Sequence, residues 1–324
     1  MLHSKEEIED REKCNRYQEN WRKWRKDLYE NGWVVIPNVV VKERVQYYRD
    51  QFWDWLEGLS PKLNRNDPTT WINENWPGNF NGILTGYSFG HNQFVWDIRQ
   101  EDALISIFKE IYQTSDLLVS FDGGNVSRPL PTKRDPWWHV DQSNDTPYFR
   151  CIQGFLNLED CGEHDGGLVV YTGSHNYFDK YFKESGERCQ YDDYYNFEQD
   201  PRTIEQFKNC KEVKVCLNAG DVCLWDSRTI HWAVNPSSQE GSGKCRMVVY
   251  TSYQPRSWAS QMSLSIKQQA FQKKQMTTHW ASENISLTDP SFVDDGDTKY
   301  ALSENYTSKE LPKLSETGKK LAGF

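Results

Sequence analysis

The eight cysteines of this chain form no Cys-x-x-Cys pair, so the spacing common to structural zinc sites and redox dithiols is missing. No run approaches the roughly 18 apolar residues that a membrane-crossing helix needs. The opening MLHSKEEIEDREK also lacks the apolar core of a secretory signal. The expectation is a soluble, reducing compartment, the cytoplasm, with the thiols free. Basic charge is scarce: 38 Lys and Arg against 47 Asp and Glu leave a formal net charge of −9, which disfavours an extended nucleic-acid surface. There is no nucleophile elbow or Ser-His-Asp arrangement, no internal repeat and no low-complexity tract.

Aromatic residues are plentiful. The hydrophobic fraction is only 37%, but 14 Trp, 17 Tyr and 15 Phe bury large areas per residue, so 324 residues suffice for one large core. Residues 5–30 have helix-like spacing that stops at Asn31-Gly32, and 33–36 read as a short strand. Val41, Val45, Tyr48, Phe52, Trp55 and Leu56 then fall on one face of a second helix. Residues 60–98 show no clear period and supply Trp71, Trp76, Phe80, Tyr87, Phe89 and Trp96, which suggests a substrate-facing loop.

From about 117 the pattern becomes short β runs at 117–121, 137–140, 151–158, 168–171, 213–217, 222–225 and 245–253. Many short strands with few helices indicate a mainly β fold with flanking helices, built as a double-sheet jelly roll. The expected organisation is one integrated domain: helices and loops over 1–114, a jelly-roll core over 115–255, and a helical or irregular extension over 256–324. Within that extension, 258–283 read as partly helical and 284–324 as polar and loosely ordered.

One His-x-Asp triplet occurs, in WWHVDQS (137–143), and alternation along a strand turns His139 and Asp141 to the same side. A salt-bridged surface pair would look the same. His231 lies ninety positions after Asp141, at the end of the apolar strand in GDVCLWDSRTIHWAVNP (220–236), where a satisfied core histidine is the alternative. Two His and one carboxylate on one face leave open coordination positions, as a non-haem iron needs. Arg246 follows on the next strand, where its planar fork could face inward and match a dicarboxylate. Asp226 either supports the His231 loop or is a plain turn residue.

Together with CIQGFLNLED (151–160) and DGGLVVYTGSH (165–175), these motifs resemble the phytanoyl-CoA dioxygenase-like family of iron(II)/2-oxoglutarate oxygenases over roughly residues 115–255, with weaker likeness at 30–60. The resemblance implies a double-stranded β-helix, Fe(II) held by His139, Asp141 and His231, 2-oxoglutarate as cosubstrate and O2 as oxidant. It assigns the distal carboxylate of 2-oxoglutarate to Arg246 and turns Gln153 toward the same molecule. Two departures stand out: the fifteen positions between His231 and Arg246 exceed the usual spacing, and no Arg-x-Ser pair follows. The GGL and GSH glycines permit positive φ and close backbone approach, with Ser174 and His175 expected near the cosubstrate, and His175 a weak candidate for a fourth ligand.

The implied reaction oxidises a C–H bond of a small organic substrate, by hydroxylation, desaturation or ring closure, with release of succinate and CO2. Alternatives are a protein or nucleic-acid hydroxylase and a non-catalytic metal-binding jelly roll. Arg128, Lys133 and Arg134 precede the metal strand and could hold an acidic group, although Asp135 offers them a simple ion pair. With Trp76 and Phe89 as apolar walls, the expected ligand is acidic at one end and apolar at the other.

Overall fold

The computed structural model describes residues 3–131, 135–190, 193–237, 241–288 and 310–324. Helices α1 (Lys5–Cys14) and α2 (Lys23–Asn31) lead into strand β1 (Trp33–Ile36) and helix α3 (Lys42–Leu59). Next come β2 (Ile83–Leu84), α4 (Gln93–Arg99), α5 (Asp102–Tyr112), β3 (Leu117–Val119) and β4 (Gly124–Ser127). The central strands are β5 (His139–Val140), β6 (Ile152–Asn157) and β7 (Gly167–Thr172), followed by α6 (Phe178–Ser185), β8 (Tyr195–Asn196) and β9 (Lys211–Lys214). Then follow β10 (Val222–Asp226), β11 (His231–Val234), β12 (Arg246–Tyr250) and β13 (Tyr253–Pro255). The chain continues through α7 (Gln261–Gln272), β14 (Met276–Thr277), β15 (Leu287–Thr288) and α8 (Glu316–Ala322).

A six-stranded sheet runs β1-β10-β6-β12-β4-β2 and a five-stranded sheet runs β8-β5-β11-β7-β9. Every strand pair in both is antiparallel. Side-chain alternation shows what each face touches. On β10, Val222 and Leu224 join the core under the helices, while Cys223 and Trp225 join the cluster that includes Leu168 and Val170 of the smaller sheet. On β12, Met247 and Val249 face the helices and Val248 faces the other sheet. The larger sheet is thus covered on both faces, which is why β10 is buried at all five positions rather than at alternate ones. Burying a Val, Leu or Phe fully contributes roughly 1.5–3 kcal/mol, so these doubly covered strands anchor the fold. The result is the facing-sheet arrangement of a double-stranded β-helix with helices packed outside.

Three expectations need correction. The helix expected over 5–30 is two helices, because Arg25 is buried and its guanidinium donates to the Cys14 carbonyl and Asn15 Oδ1 between them. Residues 60–98 are not one loop: they hold edge strand β2 and most of α4, whose Trp96 is fully buried. The tail expected to be loose includes β15 and α8, with Leu321 and Ala322 in the main core. No described helix is long and apolar enough to cross a membrane, and all eight cysteines are free.

Candidate metal centre

His139 and His231 are register partners across β5 and β11, so strand pairing itself sets their imidazoles side by side, with ring centroids 4.2 Å apart. Asp141 follows two positions after His139, and its main-chain N–H donates to the Ser227 carbonyl at 3.0 Å. The loop behind it is fixed by Gln142, which accepts from Ser227 Oγ at 2.7 Å and donates to the Tyr148 carbonyl at 2.8 Å. The turn before His231 is tied by Arg228, which donates to both carboxylate oxygens of buried Asp226, at 2.9 and 2.7 Å. Asp226 therefore supports the His231 loop, as one of the two expectations held.

The three side chains offer ligand atoms that all lie within 4.8 Å of one another. His139 Nδ1 donates to the Trp137 carbonyl and His231 Nδ1 to the Thr229 carbonyl, each at 2.9 Å. A carbonyl can only accept, so each Nδ1 carries a proton and each Nε2 is the nitrogen turned toward Asp141. Those two Nε2 atoms stand 3.7 and 3.2 Å from the Asp141 carboxylate oxygens. Burial, then neighbouring His231, pushes the His139 imidazole down to about 4, so it is neutral at physiological pH. Burial alone would raise Asp141, but His139 and His231 hold its carboxyl well below the usual range. Two imidazole Nε2 atoms and one carboxylate thus converge, and a cation is what such a donor set fits. Two imidazoles and one carboxylate are the donor chemistry suited to iron(II). Gln153 Nε2 donates to Asp141 Oδ2 at 3.0 Å, so it orients this ligand from the facing sheet.

The triad opens into a cavity of about 220 Å³ between the sheets. Arg246 and Tyr250 of β12 line it from one sheet, and Trp232 and Ala233 of β11 from the other. The Arg246 guanidinium lies over the Phe155 ring at 5.5 Å and forms no salt bridge among the described residues, so it stands ready for an anion. Trp137 stacks on His139 at 4.5 Å and 12°, shielding the metal side from water.

The expected substrate residues are placed differently. Phe89 is fully buried against Phe52, Trp55 and Phe94, and Trp76 packs in a cluster with Trp53 and Trp71. Neither lines the cavity at the triad. Arg128 turns to the Trp71 carbonyl and Asn73 Oδ1, with its guanidinium over Trp76. Lys133 and Arg134 lie outside the described residues. From 60–98 the cavity takes Ile83 and Thr85 instead. His175 donates to the Tyr29 carbonyl at 3.0 Å and Ser174 accepts from the Ile230 N–H at 2.9 Å, so both brace the fold rather than the cavity.

Sequence reasoning missed the far wall. After α7 the chain returns through β14, bringing Met276, Thr277, Thr278 and His279 to the cavity. Thr277 ties this segment to β3, its Oγ1 accepting from the Phe121 N–H at 2.9 Å and its N–H donating to the Phe121 carbonyl at 3.1 Å. Burial pushes the His279 imidazole down to about 4, and its Nε2 is buried with no hydrogen-bond partner. The sequence signal available was a lone His-Trp pair in a polar stretch, too ordinary to single out.

Residues 28–241 match the sequence profile of the family described as phytanoyl-CoA dioxygenase (PhyH). Among relatives, "Ava biosynthesis cluster protein O" of Aspergillus versicolor is 30% identical over 272 residues, covering 81% of this chain and 86% of that protein. A Dictyostelium discoideum protein named for phytanoyl-CoA dioxygenase is 24% identical over 251 residues, covering 64% and 69%. Among solved structures, the carbocyclase SnoK of nogalamycin biosynthesis has a TM-score of 0.47 at 18% identity, covering 74% of this chain and 85% of that one.

Proposed function

We propose that this chain, which belongs to the phytanoyl-CoA dioxygenase family of iron(II)- and 2-oxoglutarate-dependent enzymes, oxidises a C–H bond of a small organic molecule within the cavity beside His139, Asp141 and His231. The observation that supports it most is the convergence of two imidazole Nε2 atoms and one carboxylate on the wall of a cavity that also holds the Arg246 guanidinium, which forms no salt bridge among the described residues. When bound, iron(II) with 2-oxoglutarate and O2 supplies an oxidant able to take hydrogen from an unactivated C–H bond, with succinate and CO2 as coproducts.

The protein's own part is positioning. His139, Asp141 and His231 would hold the metal, and the Trp137 and Thr229 carbonyls fix the two imidazoles in the ligating tautomer. Gln153 holds Asp141 in place, while Arg246 offers its fork to the far carboxylate of 2-oxoglutarate. Trp137, Trp225 and Trp232 line the site with Phe155 and Leu168 and help to exclude water from it. No side chain needs to act as a general base. A cavity of about 220 Å³ favours a small molecule over a protein or nucleic-acid segment, and one relative's name places it in a biosynthesis cluster.

The test is succinate formation from 2-oxoglutarate by iron-loaded protein, screened against a small-molecule library for compounds that accelerate it. Iron-dependent succinate that rises with a substrate is the expected result. Protein that binds iron yet forms no succinate under any condition would leave only the metal-binding jelly roll.

A further inference from the structure

Asp122 is a second carboxylate on the cavity wall, and it takes no part in the metal set. It sits in the turn before β4, where Gly123 fixes the backbone: a Cβ there would stand 1.9 Å from the Leu84 carbonyl oxygen. Asp122 Oδ1 accepts from the Gly123 N–H at 2.7 Å. The Arg99 guanidinium beside it is spent on main chain, donating to the carbonyls of Gly90 and Asp122 and packing on Trp96. Among the described residues no Lys, Arg or His forms a salt bridge with the Asp122 carboxylate.

The cavity's charges can be paired one by one. Asp141 would be neutralised by the metal, and Arg246 by the cosubstrate. Asp122 then remains as a carboxylate that forms no salt bridge among the described residues: the nearby Arg99 charge acts on it from a distance, that guanidinium's hydrogen bonds go to main chain, and Asp122 lines the space where substrate must sit. Burial, then the like charge of Asp141, pushes it up to about 6 against the Gly123 N–H and Arg99, so it is still largely ionised at neutral pH.

We propose that Asp122 is a specificity residue whose carboxylate binds a basic nitrogen of the substrate, which makes the substrate an amine with an apolar body. This rests on the assignment of the cavity as the site of oxidation. It also reverses the polarity expected from Arg128, Lys133 and Arg134.

Three probes on one skeleton test it: 2-phenylethylamine, 2-phenylethanol and 3-phenylpropanoate, titrated in the absence of O2 into protein loaded with iron(II) and 2-oxoglutarate, with fluorescence of the cavity tryptophans as the readout. The amine should bind wild type at least tenfold more tightly than the alcohol, with the carboxylate weakest. Asp122→Asn, which keeps an acceptor for the Gly123 N–H, should bring amine and alcohol within threefold of each other. Asp122→Glu should restore most of the preference. Iron stoichiometry equal to wild type serves as the check that both variants fold. No amine preference in wild type, or the same preference in Asp122→Asn, overturns the proposal. An amine preference in a protein that forms no iron-dependent succinate would instead overturn the oxygenase assignment and leave the amine site standing.

Discussion

Gln153 on β6 and Asp141 beyond β5 belong to opposite sides of the sheet sandwich, and the Gln153 amide bridges them by donating to Asp141 Oδ2 at 3.0 Å. The bond fixes the orientation of the carboxylate that would hold the metal. Loss of such an outer partner costs roughly 10–100-fold in metal affinity. Gln153→Ala should therefore weaken iron binding by about that factor while the melting temperature changes little. Iron titration of the purified variant decides it, and wild-type affinity would show the bond to be incidental.

Replacing a ligand should cost more than replacing the residue that orients it. His139→Ala, Asp141→Ala and His231→Ala are each expected to lose succinate formation beyond the roughly 10–100-fold scale of an outer-partner loss. Substoichiometric iron should accompany the loss. A variant of the three that keeps full iron and normal turnover removes its residue from the metal set.

Arg246 should act on cosubstrate and not on metal. Losing one side of a buried charge-assisted pair typically costs about 2–5 kcal/mol, so Arg246→Ala should raise the KM for 2-oxoglutarate by well over tenfold at unchanged iron content. Arg246→Lys should recover only part of it, because an ammonium cannot match a carboxylate bidentately. An unchanged KM would move the anchor to another basic residue.

Glu283 ties the segment bearing His279 to the body of the protein: Arg11 donates to both of its oxygens, Arg150 Nε to Oε1 at 3.1 Å, and His3 lies 3.0 Å from Oε2. Burial alone would raise its pKa, but the bond to His3 and the charges of Arg150 and Arg11 bring it down to about 2 from 4.5. A carboxyl depressed in the folded state contributes stability above the unfolded value, and that contribution fades as pH falls from about 4.5 toward 2. Its size is on the order of a few kcal/mol. Urea unfolding between pH 7 and 3 should show this loss in wild type and a flatter profile in Glu283→Gln. Identical profiles would assign the acid sensitivity elsewhere.

How much of this was legible in advance depended on the range over which each feature is encoded. The strand at 33–36, the runs around 152–157 and 222–226, and the ligand set all follow from local pattern. The two-residue spacing of His139 and Asp141 suggests one side, and in the structure Asp141 reaches it from the bend just after β5, held by the Ser227 carbonyl. His231 needed the order of motifs as well, because ninety residues of chain hide its pairing with His139.

The substrate side was misjudged for a physical reason. Aromatic residues between two helices read equally well as the wall of a binding loop or as core, since both environments are apolar. Phe89 fills the space between Phe52 of α3 and Phe94 of α4, and Trp96 of α4 packs on Phe121 and Phe271. Arg128 next to a metal strand could have faced the site or the surface, and the Trp71 carbonyl and Asn73 offered it partners away from the triad.

The sequence by itself determined the strand periods and the cofactor class and singled out His139, Asp141 and His231 as candidate ligands, because a two-residue repeat is a property of near neighbours and the order of motifs is carried along the chain. Only the tertiary structure decided what encloses the site. His279 and Thr277 arrive from well over a hundred residues past the metal strand, Asp122 forms no salt bridge among the described residues because the Arg99 guanidinium donates to main chain, and Gln153 reaches Asp141 across two sheets. Each of these depends on which distant segments compete for the same space and the same hydrogen bonds, and that competition is settled only when the whole chain packs.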